Sequence, residues 1–309
     1  MEQPIVRNEP SILVSFVVGQ HQVKIHHAIF VSHDVGEQVF SGCGIDLKPE
    51  GRFAVYDITE DDPRWPQVAV AIARYQEIAA AIRGLPIIPG ANEGDRVWTE
   101  FTEEEKELAP FLTMGAWYHG YPQPDQFKAD APSRVDKLPY LRGTYDFSEA
   151  CDSCWTGRKQ VAPFRMKKSP AWGRRSILQL EWVTEEFFVK PEVYESTFRP
   201  FGIASRPVLL HKTGTKLETV VQLVIDSIVD VHVQGIPIQR VCSSCGEKQY
   251  QRSCRGFPPS PSVTNAAVFK SRQYFNGSRR VYVSNALYQK MVAAELKGGE
   301  FDPCDPERC

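Results

Sequence analysis

A chain of 309 residues is long enough for one large domain or two ordinary ones. With 42% hydrophobic and 24% charged residues it has a globular balance, and a net charge of −2 gives no overall pull toward nucleic acid or anionic lipid. The Met-Glu-Gln-Pro start lacks the basic and apolar regions of a signal peptide, and the best membrane candidate, Thr219–Val233, is interrupted by Gln222, Asp226 and Asp230.

In chain order, Ile12–Val18 and Gln22–Ser32 are rich in Val, Ile and Phe, and the Gly19-Gln20 step between them predicts a hairpin. Val39–Ser41 and Phe53–Tyr56 read as further short strands. The first clear helix spans about Pro66–Arg83: Pro66 suits the first helical position, Val68, Ile72, Tyr75, Ile78 and Ile82 recur at helical spacing, and Gly84 supplies a stop. Leu85–Asp95 has loop chemistry, and Thr102-Glu-Glu-Glu105 fits a capping box opening a short helix to about Ala109. The aromatic stretch Trp117-Tyr-His-Gly-Tyr-Pro-Gln-Pro124 is either a ligand platform or a proline-rich connector that buries its rings. A boundary placed just before it divides the chain into an N-terminal α+β part, residues 1–114, and a second part, residues 115–309.

The second part contains Cys151-Asp-Ser-Cys154 and Cys242-Ser-Ser-Cys245. C-x-x-C is the spacing at which two thiolates on one tight turn grip a metal ion, and a tetrahedral four-cysteine zinc site needs two such turns. Gly246 follows the second pair and suits the positive φ of such a turn, whereas Trp155 follows the first, with the glycine delayed to Gly157. The interval between the pairs exceeds that of a zinc ribbon, so the two knuckles must meet through the tertiary fold. Reversible dithiols and two unlinked thiol pairs are the alternatives. Eight cysteines are too sparse for a disulfide scaffold at this length. In a reducing cytoplasm, the expected location, C-x-x-C reads as metal before disulfide. Cys254 lies near the second knuckle, Cys304 and Cys309 belong to an acidic tail, and Cys43 has no partner in sequence.

After the first knuckle, Arg158, Lys159, Arg165, Lys167, Lys168, Arg174 and Arg175 stand against a single acidic residue, Asp152, giving residues 151–180 a local charge of +6. These cations either offset the formal −2 of a four-thiolate zinc, with Arg158, Lys159, Lys248 and Arg252 nearest in sequence, or bind phosphates. Aromatic residues are not interleaved among them as single-strand binding requires.

Ser176–Trp182 and Phe187–Val189 then read as strands, and Pro191 opens a short helix. Thr219–Ile225, Ile228–Val233 and Ile238–Val241 follow as strands, the last entering the second knuckle. Val281-Tyr-Val283 is a strand, with Ser284 as N-cap of a helix over Asn285–Leu296 closed by Gly298-Gly299. Phe188-Val189 then Val193-Tyr194 parallels Tyr282-Val283 then Leu287-Tyr288, as duplication, chance or a common strand-to-helix turn would produce.

No chemistry-bearing motif accompanies the cysteines. His26-His27 lie in a strand-like run, where neighbours face opposite sides, and His119, His211 and His232 are isolated. There is no G-x-S-x-G, H-E-x-x-H or glycine-rich phosphate loop. Zinc held by four cysteines has no open position for water, so the expected metal argues for structure and the expected protein is not an enzyme.

Taken together, these residues resemble a bacterial family. The series is Trp117–Pro124, Cys151-x-x-Cys154, Leu178-Gln-Leu-Glu-Trp182, Phe187-Phe-Val189, Phe198-Arg-Pro-Phe-Gly202, Val220-Val-Gln-Leu223, Cys242-x-x-Cys245-Gly246 and Val281-Tyr-Val-Ser284 with Gly298-Gly-Glu-Phe301. It is similar to the double-CXXCG proteins of myxobacteria and to related immunity proteins of polymorphic-toxin systems, over roughly residues 115–309. The resemblance implies that Cys151, Cys154, Cys242 and Cys245 are zinc ligands and that the partner is a cognate toxin bound and neutralised without catalysis. Trp155 departs from the motif, which has glycine there. The resulting expectation is an α+β protein of mainly antiparallel strands with a few helices, its C-terminal part stapled by two zinc knuckles. A nucleic-acid-associated zinc protein using residues 158–175 is the alternative, and no membrane partner is expected.

Overall fold

Strand-forming residues in β1 (Lys24–Ser32) give the first sheet its centre. The structure, a computed structural model, describes residues 24–50, 53–83, 95–116, 120–124, 139–180, 183–251 and 255–305. The Ile12–Val18 strand, the Gly19-Gln20 turn, most of the Leu85–Asp95 loop and Trp117–His119 lie outside the described residues. After β1 come α1 (His33–Phe40), β2 (Lys48–Glu50), β3 (Phe53–Thr59), α2 (Trp65–Arg83) and β4 (Asp95–Glu100). The strands pair antiparallel in the order β2-β3-β1-β4. Ile29 and Val31 of β1 and Ile58 of β3 pack with Phe40 of α1 and with Trp65, Val68, Ala71, Ile72 and Tyr75 of α2. The stripe expected on α2 is buried at Val68, Ile72 and Tyr75; the side chain of Ile82 is outside the described set.

One local expectation is corrected. Val39 is helical, not extended, because Val35, Val39 and Phe40 fall on one face of α1 and join the core against α2. The run was too short for alternation to distinguish strand from helix.

The chain divides into two compact units, Met1–Glu100 and Phe101–Cys309, a division earlier than the one expected before Trp117. The reason lies in β5 (Phe111–Gly115), a run with no distinguishing pattern in sequence. It pairs with strands near the C-terminus, which draws the preceding α3 (Glu103–Leu108) with it. At α3 the expected capping box is formed: Glu105 N–H donates to Thr102 Oγ1 at 3.1 Å, and Thr102 N–H to Glu105 Oε2 at 2.7 Å.

The second unit continues through β6 (Tyr145–Asp146), β7 (Lys159–Gln160), β8 (Arg165–Met166), β9 (Ile177–Gln179), β10 (Phe187–Val189) and α4 (Pro191–Val193), which runs on in irregular helical turns to residue 201. Then come β11 (Ser205–Leu210), β12 (Lys216–Leu223), β13 (Ile228–Val229), β14 (Ile238–Val241), β15 (Lys248–Tyr250), β16 (Val268–Phe275), β17 (Ser278–Ser284), α5 (Asn285–Ala293) and β18 (Glu300–Pro303). One sheet has the order β8-β11-β12-β10-β9; the other is β14-β15-β16-β17-β5-β18, with β13 beside β16; and β6 and β7 form a separate hairpin. Three pairs, β8–β11, β13–β16 and β15–β16, are parallel and the rest antiparallel. The α+β class with mainly antiparallel strands is therefore observed. No helix among the described residues is long and apolar enough to cross a membrane.

Two hairpins, β9–β10 and β16–β17, organise this unit on one plan. Ile177, Phe187 and Val189 of the first share a buried cluster with Val268, Val281 and Val283 of the second. The alternate residues turn away: Leu178 and Phe188 into a cluster with Trp155 and Phe164, Phe269 and Tyr282 into one with Phe275 and Cys304. This is the period-two alternation of strands buried on both faces. The turns that follow also correspond, Val193 and Tyr194 occupying the same shared core as Leu287 and Tyr288. The short sequence parallel thus extends to matching strands, pairing and facing directions. Ser284 caps α5 as expected, accepting from Leu287 N–H, although α5 ends at Ala293.

Candidate metal centre

Each C-x-x-C lies in the connection of a β-hairpin. The first connects β6 to β7, where Asp146 faces Lys159; the second connects β14 to β15, where Val241 faces Lys248. The two turns have one backbone design. Cys151 N–H donates to Thr156 O at 2.9 Å and Trp155 N–H to Cys151 O at 2.7 Å. In the second turn Cys242 N–H donates to Glu247 O at 2.9 Å and Gly246 N–H to Cys242 O at 2.8 Å. The residue after the second cysteine is left-handed in both: φ is 63° at Trp155 and 75° at Gly246. The departure at Trp155 therefore leaves the turn intact. A side chain in this region costs about 1–2 kcal/mol. The indole is 2% exposed and meets Phe147 edge-on at 5.9 Å, and that burial offsets the strain. Gly157 is needed for space as well as for its φ of 95°, since a Cβ there would lie 2.8 Å from Glu149 O.

The knuckles, 91 residues apart in sequence, meet like with like. Cys151 Sγ is 3.6 Å from Cys242 Sγ, Cys154 Sγ is 3.5 Å from Cys245 Sγ, and Ser153 Oγ is 2.7 Å from Ser244 Oγ. All four sulfurs lie within 4.8 Å of one another. Sulfurs about 2.3 Å from a tetrahedral zinc stand roughly 3.8 Å apart, while a disulfide requires about 2.05 Å. The four are free thiols at separations suited to a metal, with Cys154 and Cys242 buried, Cys151 half-buried and Cys245 exposed. Two unlinked pairs are therefore not what the fold builds.

The surroundings favour charge on Cys242 and oppose it on Cys245. Cys154 Sγ is 3.1 Å from Thr156 Oγ1. The backbone N–H groups of Cys245 and Ser244 pull Cys242 down to about 6. Cys245 accepts from Glu247 N–H, yet desolvation and the sulfurs of Cys154, Cys151 and Cys242 push it up to about 12. Four sulfurs this close compete for negative charge, and a divalent cation bound there would end the competition by taking all four as thiolates.

The other expected contributors stand elsewhere. The side chain of Arg158 is 4% exposed and paired with Glu185, and Lys159 pairs with Glu149, so two of the four cations expected to offset the sulfur charge are engaged by carboxylates. Arg252, Cys254, Cys309 and His119 lie outside the described residues. Cys43 is buried in the core of the first unit, and Cys304, in the second, is buried with Phe269, Phe275 and Tyr282 and is not one of the four clustered sulfurs. His26 stacks on Trp98 and meets Glu100 at 2.7 Å, whereas His27 is buried against Trp65 and meets Glu60 at 2.9 Å, the opposite facing expected of strand neighbours. His211 and His232 are exposed. Of the aromatic stretch, Tyr121 is buried among Tyr140, Phe164 and Phe188, as a connector would have it.

Thr156, the Ser153–Ser244 contact and the buried Glu185-Glu186 pair were not singled out by sequence reasoning. One signal was available: both knuckles read Cys-x-Ser-Cys and both are followed by Lys-Gln, at Lys159-Gln160 and Lys248-Gln249. Comparison of the chain with protein-family models, with curated proteins and with solved structures finds no match.

Proposed function

We propose that Cys151, Cys154, Cys242 and Cys245 hold one zinc ion as a structural staple, and that the protein acts by binding another protein, as the immunity partner of a bacterial toxin. The observation that carries the metal reading is the approach of four free sulfurs to within 4.8 Å from two turns of identical backbone design. An all-sulfur, four-ligand set favours zinc over magnesium or calcium, which take oxygen ligands. With all four positions filled by protein, the ion contributes folding free energy and offers no site to a substrate. Partner binding rests on that closed site together with the resemblance to double-CXXCG and immunity proteins.

Use of residues 158–175 on nucleic acid is the weaker reading, because Arg158 is buried against Glu185 and Lys159 is paired. Elemental analysis of the purified chain is expected to give one zinc per molecule, lost in Cys154→Ser. The toxin encoded beside this chain is expected to be titrated to zero activity near an equimolar ratio. Detoxification far below one equivalent would point to turnover instead. Salt-sensitive binding to generic nucleic acid, with no binding to that toxin, would favour the second reading.

A further inference from the structure

We propose that Glu185 and Glu186 are positioning residues for the thiolate site, clamping the first knuckle hairpin to the β16–β17 hairpin so that the two knuckles are held face to face. The proposal rests on the reading that the four sulfurs bind a metal. Both glutamates lie just before β10 and are buried, at 6% and 5% exposure.

Glu185 Oε1 accepts from Arg158 Nη2, while Oε2 accepts from Arg279 N–H in β17 at 3.0 Å. Arg158 in turn donates from Nη1 to Trp155 O, inside the first knuckle, at 3.2 Å, and its guanidinium lies 5.6 Å from the centre of the Tyr145 ring. Glu186 works in parallel. Its Oε1 accepts from Tyr145 O–H and from Lys270 Nζ, each at 3.0 Å, and its Oε2 from Gln222 Nε2 at 2.9 Å. Gln222 also shares amide hydrogen bonds of 2.8–2.9 Å with Gln160.

Tyr145, Arg158 and Gln160 belong to the hairpin that carries Cys151 and Cys154. Lys270 and Arg279 belong to β16 and β17, and β16 pairs with β15, the strand leaving Cys245. Two parallel sets of hydrogen bonds, one through each carboxylate, therefore tie the first knuckle's hairpin to β16 and β17, and β16 pairs with the strand that leaves the second knuckle. Buried ion pairs are poor contributors to net stability, because desolvation consumes most of the Coulomb gain. What they supply is direction, since each contact has one geometry. Two turns 91 residues apart need such registration before four sulfurs can present a tetrahedron.

The test separates metal affinity from stability in the full-length chain. Zinc affinity by chelator competition, cobalt(II) absorption and metal-free thermal unfolding are measured for wild type, Glu185→Gln, Glu186→Gln and Arg158→Lys. Substitutions that disturb the support of metal ligands typically weaken binding about 10–100-fold, and a loss of that order is expected for Glu185→Gln and Glu186→Gln, with a disturbed cobalt spectrum. If either glutamate variant is not recovered folded, Arg158→Lys decides, because an ammonium keeps the charge but not the two-armed reach to Trp155 O and Glu185. Wild-type affinity in the folded variants, with only the metal-free melting temperature lowered, would reduce the clamp to a stability element and overturn the proposal. Absence of metal binding by the wild-type chain would instead remove the metal reading itself.

Discussion

The two knuckles form the same turn from different residues. The second follows the economical rule, with Gly246 at the left-handed position, where an added Cβ would find nothing within 4 Å. The first places Trp155 there at φ 63° and holds it by burying the ring. Backbone preference shapes one turn, and the apolar cluster of Leu178, Phe164 and Phe188 imposes the same shape on the other. Conformation at a special φ is thus set by whichever term is larger, and burying a tryptophan outweighs a strain of about 1–2 kcal/mol.

The comparison is broken most severely by removing one of the four clustered sulfurs. Cys245→Ser is expected to abolish zinc binding and to cost several kcal/mol in the second unit, because the binding energy of structural zinc is folding energy. Thermal unfolding with and without chelator checks this: chelation should lower the melting temperature of wild type and leave the variant unchanged.

Next in size is Trp155. Trp155→Ala loses the indole yet keeps the strain, an expected destabilisation of about 3–5 kcal/mol. Trp155→Gly loses the same ring but relieves the backbone, so it should be the milder change by roughly 1 kcal/mol. Denaturant titration of both variants tests the ordering, and alanine equal to or better than glycine would deny the left-handed turn.

Acid sharpens the contrast between the first knuckle, which is tied to Glu185, and the second, which is not. Burial alone would raise the Glu185 carboxyl, but chiefly Arg158, with Lys270 and Arg279, holds it below the usual carboxylate range. A depressed folded value means the contribution is complete above the unfolded value of about 4.3 and is lost as pH falls from there through the folded one. Urea unfolding of the metal-free chain between pH 7 and pH 3 should show this loss in wild type, and a shallower slope in Glu185→Gln.

Smaller effects belong to the second knuckle. Gly246→Ala should cost about 1 kcal/mol from φ alone, since no neighbour opposes the methyl group. Ser244→Ala removes the exposed contact with Ser153 and should shift stability by about 0.5 kcal/mol or less. Both are measurable by denaturant midpoint at constant slope.

Much of the local structure was legible because its causes are local. Val68, Ile72 and Tyr75 declare α2 by spacing, Thr102 and Glu105 declare the start of α3, and C-x-x-C declares a pair of thiols on one turn. What escaped depended on distant partners. Phe111–Gly115 gives no hint that it pairs with residues near the other end of the chain, and the compact units divide before it, whereas the sequence-based boundary falls after it. Arg158 reads as one of seven cations that offset the thiolate charge or bind phosphates, whereas the structure buries it against Glu185. Glu185 and Glu186 went unnoticed for the same reason. The four cysteines of the candidate site were visible in the sequence, and the buried groups packed around them were not.

Like meeting like across the sulfurs has a further consequence. A contact in which each residue faces its own equivalent is isologous, the arrangement a rotation axis produces in a symmetric dimer. Here the relation lies within one chain, between Cys151 and Cys242, Cys154 and Cys245, and Ser153 and Ser244. In a true dimer one mutation alters both sides together. In this chain the two sides need not share a sequence, and Trp155 at the position equivalent to Gly246 is such a difference: the sides are chemically unequal while the contact between them is symmetric.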